Sequence, residues 1–213
     1  MERVVCLVIG YLFGLIQTGY IYGKMHNVDI REHGSGNAGS TNALRTLGVK
    51  AGIITFLGDC FKCVAAVLVV RGIYGQSCPD ILPLLSIYAG FGAVLGHNYP
   101  FYLKFKGGKG IAVTGGMILV TDVRMAALCL LVFIVIVAVT RYVSLGSLTV
   151  TVLFAVGLVM EGQLGWFGMD WPHLLEMYAI GLLFVLSAFY KHRANIQRLR
   201  EGTENKFGIK KKE

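Results

Sequence analysis

The chain has 213 residues, of which 55% are hydrophobic, and its mean hydropathy of +0.64 excludes an ordinary water-soluble domain. The formal net charge of +8 would suit a nucleic-acid-binding protein, but the basic residues alternate with apolar stretches, which argues against that class. The five cysteines are odd in number and point to no redox or metal site. The composition therefore predicts one integral membrane domain over residues 1–213.

The apolar residues fall into seven stretches, and each is predicted to be a helix because lipid offers the backbone no hydrogen-bond partners. The stretches lie near residues 4–23, 51–70, 81–96, 110–121, 125–140, 144–160 and 174–190. Since a span needs roughly 20 residues, the fourth and fifth are short, and one of them is expected to be tilted, buried or half-spanning. The predicted fold class is all-α, with about seven transmembrane helices.

Lysine and arginine are distributed unevenly between the two sides of such a protein. If the first stretch crosses from outside to inside, all but four of the 20 lysines and arginines lie in the inner segments 24–50, 97–109, 141–143 and 191–213. The exceptions are Arg3, Arg71, Arg124 and Lys62. The positive-inside rule therefore predicts an outer N-terminus and a cytoplasmic C-terminus. Residues 191–213 would form a basic tail, in which Lys210–Lys212 indicate a topology signal or a contact with anionic lipid.

The first inner segment is rich in glycine, serine, threonine and asparagine between residues 34 and 48. Ser40–Asn42 are good N-caps for a short helix that Gly48 would end, and Arg45 lies inside that helix. Bare glycine backbone, a helix N-terminus and an arginine together favour a phosphate site over a solvated connector. The segment also contains G-x-G-x-x-G, but without the strand that a dinucleotide fingerprint requires.

The second inner segment ends in Lys106-Gly-Gly-Lys-Gly110, which would open the fourth helix. Two lysines and free backbone amides at a positive helix end predict a phosphate cradle. It is not a Walker A loop, because Leu103 and Ile111 replace the required glycine and Ser/Thr. The alternatives are a basic anchor at the membrane surface for the lysines and a capping role for His97.

The third inner segment begins at Lys191 and continues the last helix. His192 and Asn195 would share one helical face, with Arg198 three residues further on. Such a face would bind an anion or orient a hydroxyl group, although a solvated basic helix end is an equally good interpretation.

Two smaller polar features remain. Asp59 and Lys62 are three residues apart in the second stretch, where they would form an ion pair or face the site. Ser144 follows the return at Arg141 and would cap the sixth helix or contact a ligand.

Taken together, these segments resemble the PlsY family, the acyl-phosphate:glycerol-3-phosphate acyltransferases of bacterial membranes. The resemblance covers nearly the whole chain and departs from the family pattern at Ala38, Ser40 and Cys63. The matching motifs are Gly34-Ser-Gly-Asn, Gly39-Ser-Thr-Asn, Gly58-Asp with Lys62, Gly96-His with Pro100, Phe105-Lys-Gly-Gly-Lys-Gly, Arg141-Tyr-Val-Ser-Leu, and His192-Arg-Ala-Asn-Ile-Gln-Arg-Leu.

The resemblance implies a multi-pass enzyme of the bacterial plasma membrane whose active site faces the cytoplasm. It would transfer a fatty acyl group from acyl phosphate to the 1-hydroxyl of glycerol-3-phosphate, giving lysophosphatidate and phosphate. Membrane lipid is its expected surrounding. No nucleic acid and no obligate protein partner are expected, and neither is a cofactor or a metal ion, since the sequence offers no metal-ligand cluster.

The family motifs also imply the site residues. Ser35, His192 and Asn195 would be catalytic. The residues expected to bind substrate are Gly36, Asn37, Thr41, Asn42, Arg45, His97, Lys106, Gly107, Gly108, Lys109, Gly110 and Ser144. In this scheme Arg45 and Lys109 hold phosphate, Ser35 and the amides near Gly36 stabilise the oxyanion, and His192 with Asn195 orients the acceptor. The general base is either His192 or the substrate phosphate.

The residue chemistry favours such a reaction independently of the resemblance. Two phosphate-bearing substrates would explain several anion-binding elements on one side, and an acyl phosphate needs mainly alignment and charge stabilisation. A phosphate-ester transporter is the main alternative, but transporters usually carry charged groups at mid-membrane and an internal repeat, whereas here the basic groups gather at one face and the two halves show no repeat. A non-catalytic scaffold would not need Gly-Gly-Lys-Gly.

Overall fold

The computed structural model describes residues 1–208, so the basic run Lys210–Lys212 lies outside the described residues. Within residues 1–208 the chain is helical and contains no strand. Its α-helices are α1 (Glu2–Gly14), α2 (Thr18–Met25), α3 (Ser40–Leu47), α4 (Val49–Tyr74), α5 (Leu82–Asn98), α6 (Ile111–Thr121), α7 (Val123–Thr140), α8 (Val143–Gln163), α9 (Trp171–Lys191) and α10 (Arg193–Arg200). Single 3-10 turns occupy Ile30–Glu32, Pro79–Ile81 and Phe101–Leu103.

The prediction of an all-helical membrane protein is confirmed. Six helical segments among the described residues are long and apolar enough to cross a bilayer: Glu2–Met25, Val49–Tyr74, Pro79–Leu103, Val123–Thr140, Val143–Gln163 and Trp171–Lys191. The fourth apolar stretch forms α6, which has only 11 residues. At 1.5 Å per residue it is about 16 Å long, roughly half of a hydrocarbon core of about 30 Å.

The first apolar stretch differs from the predicted single helix, because it breaks between Gly14 and Thr18. A break inside a membrane frees backbone carbonyls that must find donors within the protein. The fully buried Gln17 donates from its side chain to the Gly14 carbonyl at 3.2 Å. The Tyr102 hydroxyl donates to the Leu15 carbonyl at 2.6 Å, and the Lys62 ammonium donates to the Ile16 carbonyl at 2.6 Å.

Helices α1 and α5 make the closest packing in the bundle, through a G-x-x-x-G pattern on each helix. Gly14 on α1 faces Gly96 on α5, while Gly10 lies against Ala89 and Gly92 lies against Leu7. A Cβ at any of the four glycines would overlap backbone atoms of the other helix. Small residues at this spacing let membrane helices approach to backbone contact. The pattern was a readable signal for this helix pair in the sequence.

The rest of the bundle is assembled around α5. Helix α4 packs against α5 and α6, and α8 lies between α7 and α9, which returns to α5. The aromatic rings of Phe91 on α5, Phe154 on α8 and Phe184 on α9 meet in tilted and edge-to-face pairs at 5.2–5.4 Å, which closes the core between these helices.

The two ends of the bundle differ in their polar residues. We use the term basic end for the end formed by residues 26–48, 99–110, 141–142 and 192–208, which hold ten of the 17 lysines and arginines found among residues 1–208. At the opposite end the Arg3 side chain donates to Glu176 at 2.5 and 2.8 Å, and the Tyr88 hydroxyl donates to the same carboxylate at 2.6 Å. This cluster joins α1, α5 and α9.

The glycine contact between α1 and α5 generates a stability prediction. Gly96→Ala places a methyl group against the Tyr11 carbonyl and should cost about 1–3 kcal/mol, because neither backbone can move away without separating the helices. Gly72→Ala on α4 is the matched control, since no atom lies within 4 Å of its added Cβ and alanine favours a helix by about 0.5–1 kcal/mol. Thermal unfolding of both variants in detergent tests the contact, and equal midpoints would contradict it.

Candidate active site

The first inner segment folds into a loop held by Asn42. Its Oδ1 accepts from the Ser35 amide at 2.8 Å, and its Nδ2 donates to the carbonyls of Ile30 and His33 at 2.7 and 3.1 Å. Asn42 is buried and lies at the third position of α3, whose N-cap is Gly39 and not one of the predicted polar residues. Its side chain therefore shapes the loop, because both amide hydrogens are already used.

The loop also uses several of the backbone amides that the sequence suggested for an anion. The Gly36 amide donates to the His33 carbonyl at 3.0 Å, and the Gly39 amide donates to the Asn37 side chain at 3.0 Å. Gly34 and Gly36 both have left-handed φ angles, of 60° and 67°, which glycine adopts without strain. The loop leaves the Ser35 side chain exposed, while Thr41 in the first turn of α3 is half-buried.

Beneath this end of the bundle, Lys62 organises a buried polar cluster. Its ammonium donates to Asp59 at 2.8 Å, to Nδ1 of His97 at 2.8 Å and to the Ile16 carbonyl, so all three hydrogens are bonded. The ion pair suggested by the i, i+3 spacing is present. Because Nδ1 of His97 accepts this bond, the proton of the neutral ring is on Nε2.

The Gly-Gly pair in the second inner segment serves a purpose different from the predicted cradle. The amides of Gly107 and Gly108 donate to the carbonyls of Asn98 and His97 at 3.3 and 3.0 Å, so they are not free for phosphate. A Cβ at Gly107 would overlap the His97 carbonyl, and one at Gly108 would overlap the His97 imidazole. The two glycines are therefore needed for close packing of this loop on α5, and Gly110 is needed for its left-handed φ of 79° before α6.

This loop places Lys109 against the third inner segment. The Lys109 ammonium donates to the Asn195 Oδ1, and the Asn195 Nδ2 donates to Glu204 at 2.7 Å. Arg198 donates to the other Glu204 oxygen at 2.7 Å, and the Ser144 hydroxyl donates to Glu204 at 3.0 Å. Residues separated by 86 positions in the sequence thus form one network.

The charges of this network extend to the first inner segment. Arg45 lies within electrostatic range of Lys109, Glu204 and Arg198. One carboxylate is therefore paired with Arg198 and lies within electrostatic range of two further cations, Arg45 and Lys109, which leaves a positive excess for an anionic ligand. Burial works against ionisation of Glu204, but hydrogen bonds from Asn195, Arg198 and Ser144 lower its pKa, which keeps it charged at neutral pH.

Burial also changes the ionisation of Lys109. Desolvation lowers its pKa to about 8, and the positive charges of Arg198 and Arg45 act in the same direction against the opposing charge of Glu204. A bound phosphate would supply the negative charge that the site lacks and would favour the ammonium form.

His192 lies beside this network at the junction of α9 and α10, where it is buried. Its Nδ1 is 2.8 Å from the Ala188 carbonyl, which only accepts hydrogen bonds, so Nδ1 carries the proton and Nε2 has a free lone pair. Desolvation and the positive charge of Lys109 lower the pKa of His192 to about 4. The imidazole is therefore neutral at physiological pH, and its Nε2 is available to accept a hydrogen bond.

The structure brings some of the sequence-predicted site residues together and leaves others apart. It joins Lys109 directly to Asn195, links Ser144 to Asn195 through Glu204, and places Arg45 and His192 within electrostatic range of Lys109. In contrast, Lys106 is exposed, and His97 lies buried behind Gly108, bonded to Lys62.

Sequence reasoning missed Glu204, Gln17 and Lys191 as residues that shape the site. The side chain of Lys191 donates to the Asn98 carbonyl at 3.0 Å and stacks over the Tyr99 ring. A glutamine within an apolar span and a glutamate within a basic tail were the available signals, because isolated polar groups in such places need a partner.

With this geometry established, similarity to known proteins can be stated. Residues 4–202 match the family model described as glycerol-3-phosphate acyltransferase. The chain is 40% identical over 211 residues to a glycerol-3-phosphate acyltransferase of Alkaliphilus metalliredigens, covering 99% of this chain and 98% of that protein. It is 42% identical over 214 residues to one of Clostridioides difficile, covering 98% of this chain and 97% of that protein.

Two solved structures share the fold. The crystal structure of PlsY, an integral membrane glycerol 3-phosphate acyltransferase, in its glycerol 3-phosphate form has a TM-score of 0.83 and 32% identity. The lysophosphatidic acid form has a TM-score of 0.80 and 31% identity, and each comparison covers 98% of this chain and 96% of the other.

These similarities and the apolar exterior of the helical bundle identify a membrane-embedded acyltransferase. Within that class, the chain belongs to the glycerol-3-phosphate acyltransferase family, and it shares the fold of the two PlsY structures.

The lowered pKa of Lys109 predicts an alkaline limit to activity. Lysine is charged below its pKa, so kcat/KM for glycerol-3-phosphate should fall about tenfold per pH unit once pH rises above about 8. In Lys109→Arg this limb should move to higher pH, because a guanidinium stays charged throughout the range. Initial rates between pH 7 and 10 measure both profiles, and an unchanged limb in Lys109→Arg would exclude Lys109 as its origin.

Proposed function

We propose that this protein transfers a fatty acyl group from acyl phosphate to the 1-hydroxyl of glycerol-3-phosphate, with lysophosphatidate and inorganic phosphate as products. The observation that carries the proposal is the network of Lys109, Asn195 and Glu204, with Arg45 and His192 beside it, at one end of a bundle with a lipid-facing exterior. Membership of the family supports glycerol-3-phosphate as the acyl acceptor, and the chemistry of the site supports acyl phosphate as the acyl donor.

The donor follows from what the site supplies and from what the reaction needs. An acyl phosphate is already activated, so its transfer requires alignment and stabilisation of developing negative charge more than a covalent nucleophile. The positive excess around Glu204 suits two phosphate groups, one on each substrate. The exposed apolar faces of the helices provide a lipid-side approach for the acyl chain.

In this proposal Arg45 and Lys109 hold phosphate, as the family motifs implied, and Arg198 adds positive charge through Glu204. The guanidinium of Arg45 is suited to a bidentate contact with phosphate oxygens. Asn195, fixed between Lys109 and Glu204, orients the lysine ammonium. Ser35, whose side chain is exposed on the first loop, is the proposed hydroxyl donor to the oxyanion.

The backbone amides proposed to stabilise the oxyanion are those at the start of α3, in place of the amide of Gly36. The Gly36 amide is bonded within the loop, whereas the Ser40 and Thr41 amides open the helix and have no intrahelical acceptor. The proposed donors are therefore the Ser35 hydroxyl and the first amides of α3.

The pKa values of the two candidate bases, His192 and the departing phosphate, favour the phosphate as the acceptor of the hydroxyl proton. The acceptor oxygen forms a bond to the acyl carbon, the bond from that carbon to the phosphate oxygen breaks, and the hydroxyl proton must leave. A phosphate has a second pKa of about 6, whereas the pKa of His192 is lowered to about 4. The departing phosphate is therefore the better proton acceptor, and neutral His192 orients the hydroxyl through Nε2.

We also propose that the N-terminus lies outside, that the basic end faces the bacterial cytoplasm and that α6 completes a set of seven membrane helices. The support is the concentration of lysine and arginine at that end, which the positive-inside rule places in the cytoplasm. Glycerol-3-phosphate is a charged solute, so a cytoplasmic site gives it access from water.

The donor proposal predicts a substrate pattern. Purified protein given acyl phosphate and glycerol-3-phosphate should release phosphate and form lysophosphatidate in equal amounts. Acyl-CoA or acyl carrier protein in place of acyl phosphate should give no product, because neither presents the phosphate leaving group to the cations. Formation of lysophosphatidate from acyl-CoA and glycerol-3-phosphate, without acyl phosphate, would refute the proposed donor and leave glycerol-3-phosphate as the acceptor.

Arg45→Lys tests the phosphate clamp. The variant should lose about 100-fold in kcat/KM, because one ammonium does not reproduce the two parallel bonds of a guanidinium and a misplaced substrate reacts slowly. Arg200→Lys, the same substitution at an exposed position of α10, is the matched control and should retain normal rates. Near-normal turnover by Arg45→Lys would remove Arg45 from the clamp.

A further inference from the structure

The end of the bundle opposite the proposed active site contains a recess that the acyl-transfer chemistry does not use. Helix α6 is about 16 Å long, whereas its neighbour α4 runs for 26 residues, or about 39 Å. The chain turns back at Asp122, below the ends of the longer helices, and leaves a cavity of about 580 Å³. Cavities of roughly 300–1,000 Å³ are typical of small-molecule sites.

Two opposite charges line this recess without neutralising each other. Glu161 on α8 is buried, with 7% of its surface exposed, and its carboxylate has no hydrogen bond or ion pair with any residue between 1 and 208. Arg71 on α4 donates to the Val120 carbonyl at 2.8 Å and to Ser86 at 3.3 Å, and it has no acidic partner in the described chain. One carboxyl group and one guanidinium group, neither in an ion pair with any residue from 1 to 208, therefore face the same space.

The other two charged residues at the rim, Asp122 and Arg124, form an ion pair with each other. Arg124 binds both oxygens of Asp122, at 2.6 Å for the closest contact, and its guanidinium stacks 4.3 Å from the Trp166 ring. The tryptophan indicates the membrane–water boundary, where this ring type concentrates. The recess thus lies at headgroup level and carries no net charge.

These features select a zwitterion. A simple anion would contact Arg71 but would meet the carboxylates of Glu161 and Asp122, and a simple cation would meet Arg71 and Arg124. A molecule with a phosphate and a primary ammonium satisfies both unpaired groups. The apolar part of the lining, which includes Ile87 and Met117, accommodates the carbon chain attached to such a headgroup.

We propose that this recess is a second binding site, specific for a phosphoethanolamine group, in which Arg71 holds the phosphate and Glu161 holds the ammonium. The group could belong to a membrane phospholipid or to a soluble phosphoethanolamine, and the two share the recognised chemistry. The site lies at the other end of the bundle from Arg45 and Lys109, so its occupancy is measured separately from acyl transfer.

The test is native mass spectrometry of the delipidated protein in detergent, titrated with phosphatidylethanolamine, phosphatidylglycerol or N-acetylated phosphatidylethanolamine. The wild-type protein should bind phosphatidylethanolamine about tenfold more tightly than the other two, since each of those lacks the ammonium that Glu161 binds. Equal affinities for the three lipids would overturn the proposal without any substitution in the protein.

Variants then assign the contacts. Glu161→Gln should reduce affinity for phosphatidylethanolamine to that for phosphatidylglycerol, whereas Arg71→Gln should weaken both. Glu2→Gln, at the half-buried first residue of α1, is the matched control and should leave the affinities for all three lipids unchanged. Retained acyl transfer shows that each variant is folded, and unchanged lipid selectivity in folded Glu161→Gln would refute the site.

Competition distinguishes the two sources of the ligand. If soluble O-phosphoethanolamine displaces bound phosphatidylethanolamine at equal concentration, the headgroup alone is recognised. If it does not, the acyl chains contribute and the ligand is the membrane lipid. Displacement of the lipid by inorganic phosphate alone to the same extent would contradict recognition of the ammonium group.

Discussion

The ammonium group of Lys62 links three parts of the bundle, and the geometry of the basic end depends on it. It donates to the carbonyl that the break between α1 and α2 leaves free, to Asp59 on its own helix, and to His97 on α5. A buried charge is costly unless it is paired and fully hydrogen-bonded, and here all three hydrogens have acceptors. The His97 ring fixed in this way lies against Gly108, so the membrane interior supports the loop that carries Lys109.

The basic end shows how a protein concentrates cations without destabilising itself. Lys109, Arg45 and Arg198 would repel one another around an empty space, and Glu204 offsets part of that repulsion while binding Asn195 and Ser144. The compensation is incomplete, which leaves the site with an affinity for anions. Desolvation lowers the pKa values of both Lys109 and His192, so the site combines charged donors with one neutral acceptor.

Helix length connects this end to the opposite one. The loop that precedes α6 lies at the basic end, and because α6 is short, the turn that follows it lies below the opposite rim of the bundle. The loop before α6 therefore carries Lys109 to Asn195 at one end, and the short helix leaves the recess lined by Arg71 and Glu161 at the other. Close packing of α1 on α5 through glycines holds the two ends in register.

The amino-acid sequence by itself determined the helical class, the apolar stretches, the segregation of basic residues and the three polar segments, because these depend on local composition and spacing. Only the tertiary structure decided which groups remain free to bind. The amides of Gly36, Gly107 and Gly108 look available in the sequence, but they are bonded to carbonyls of neighbouring segments. Glu204 looks like a tail residue, yet it completes the network of Ser144, 60 positions earlier in the chain. Hydrogen-bond partners this far apart are brought together by helix packing, and no local pattern records them.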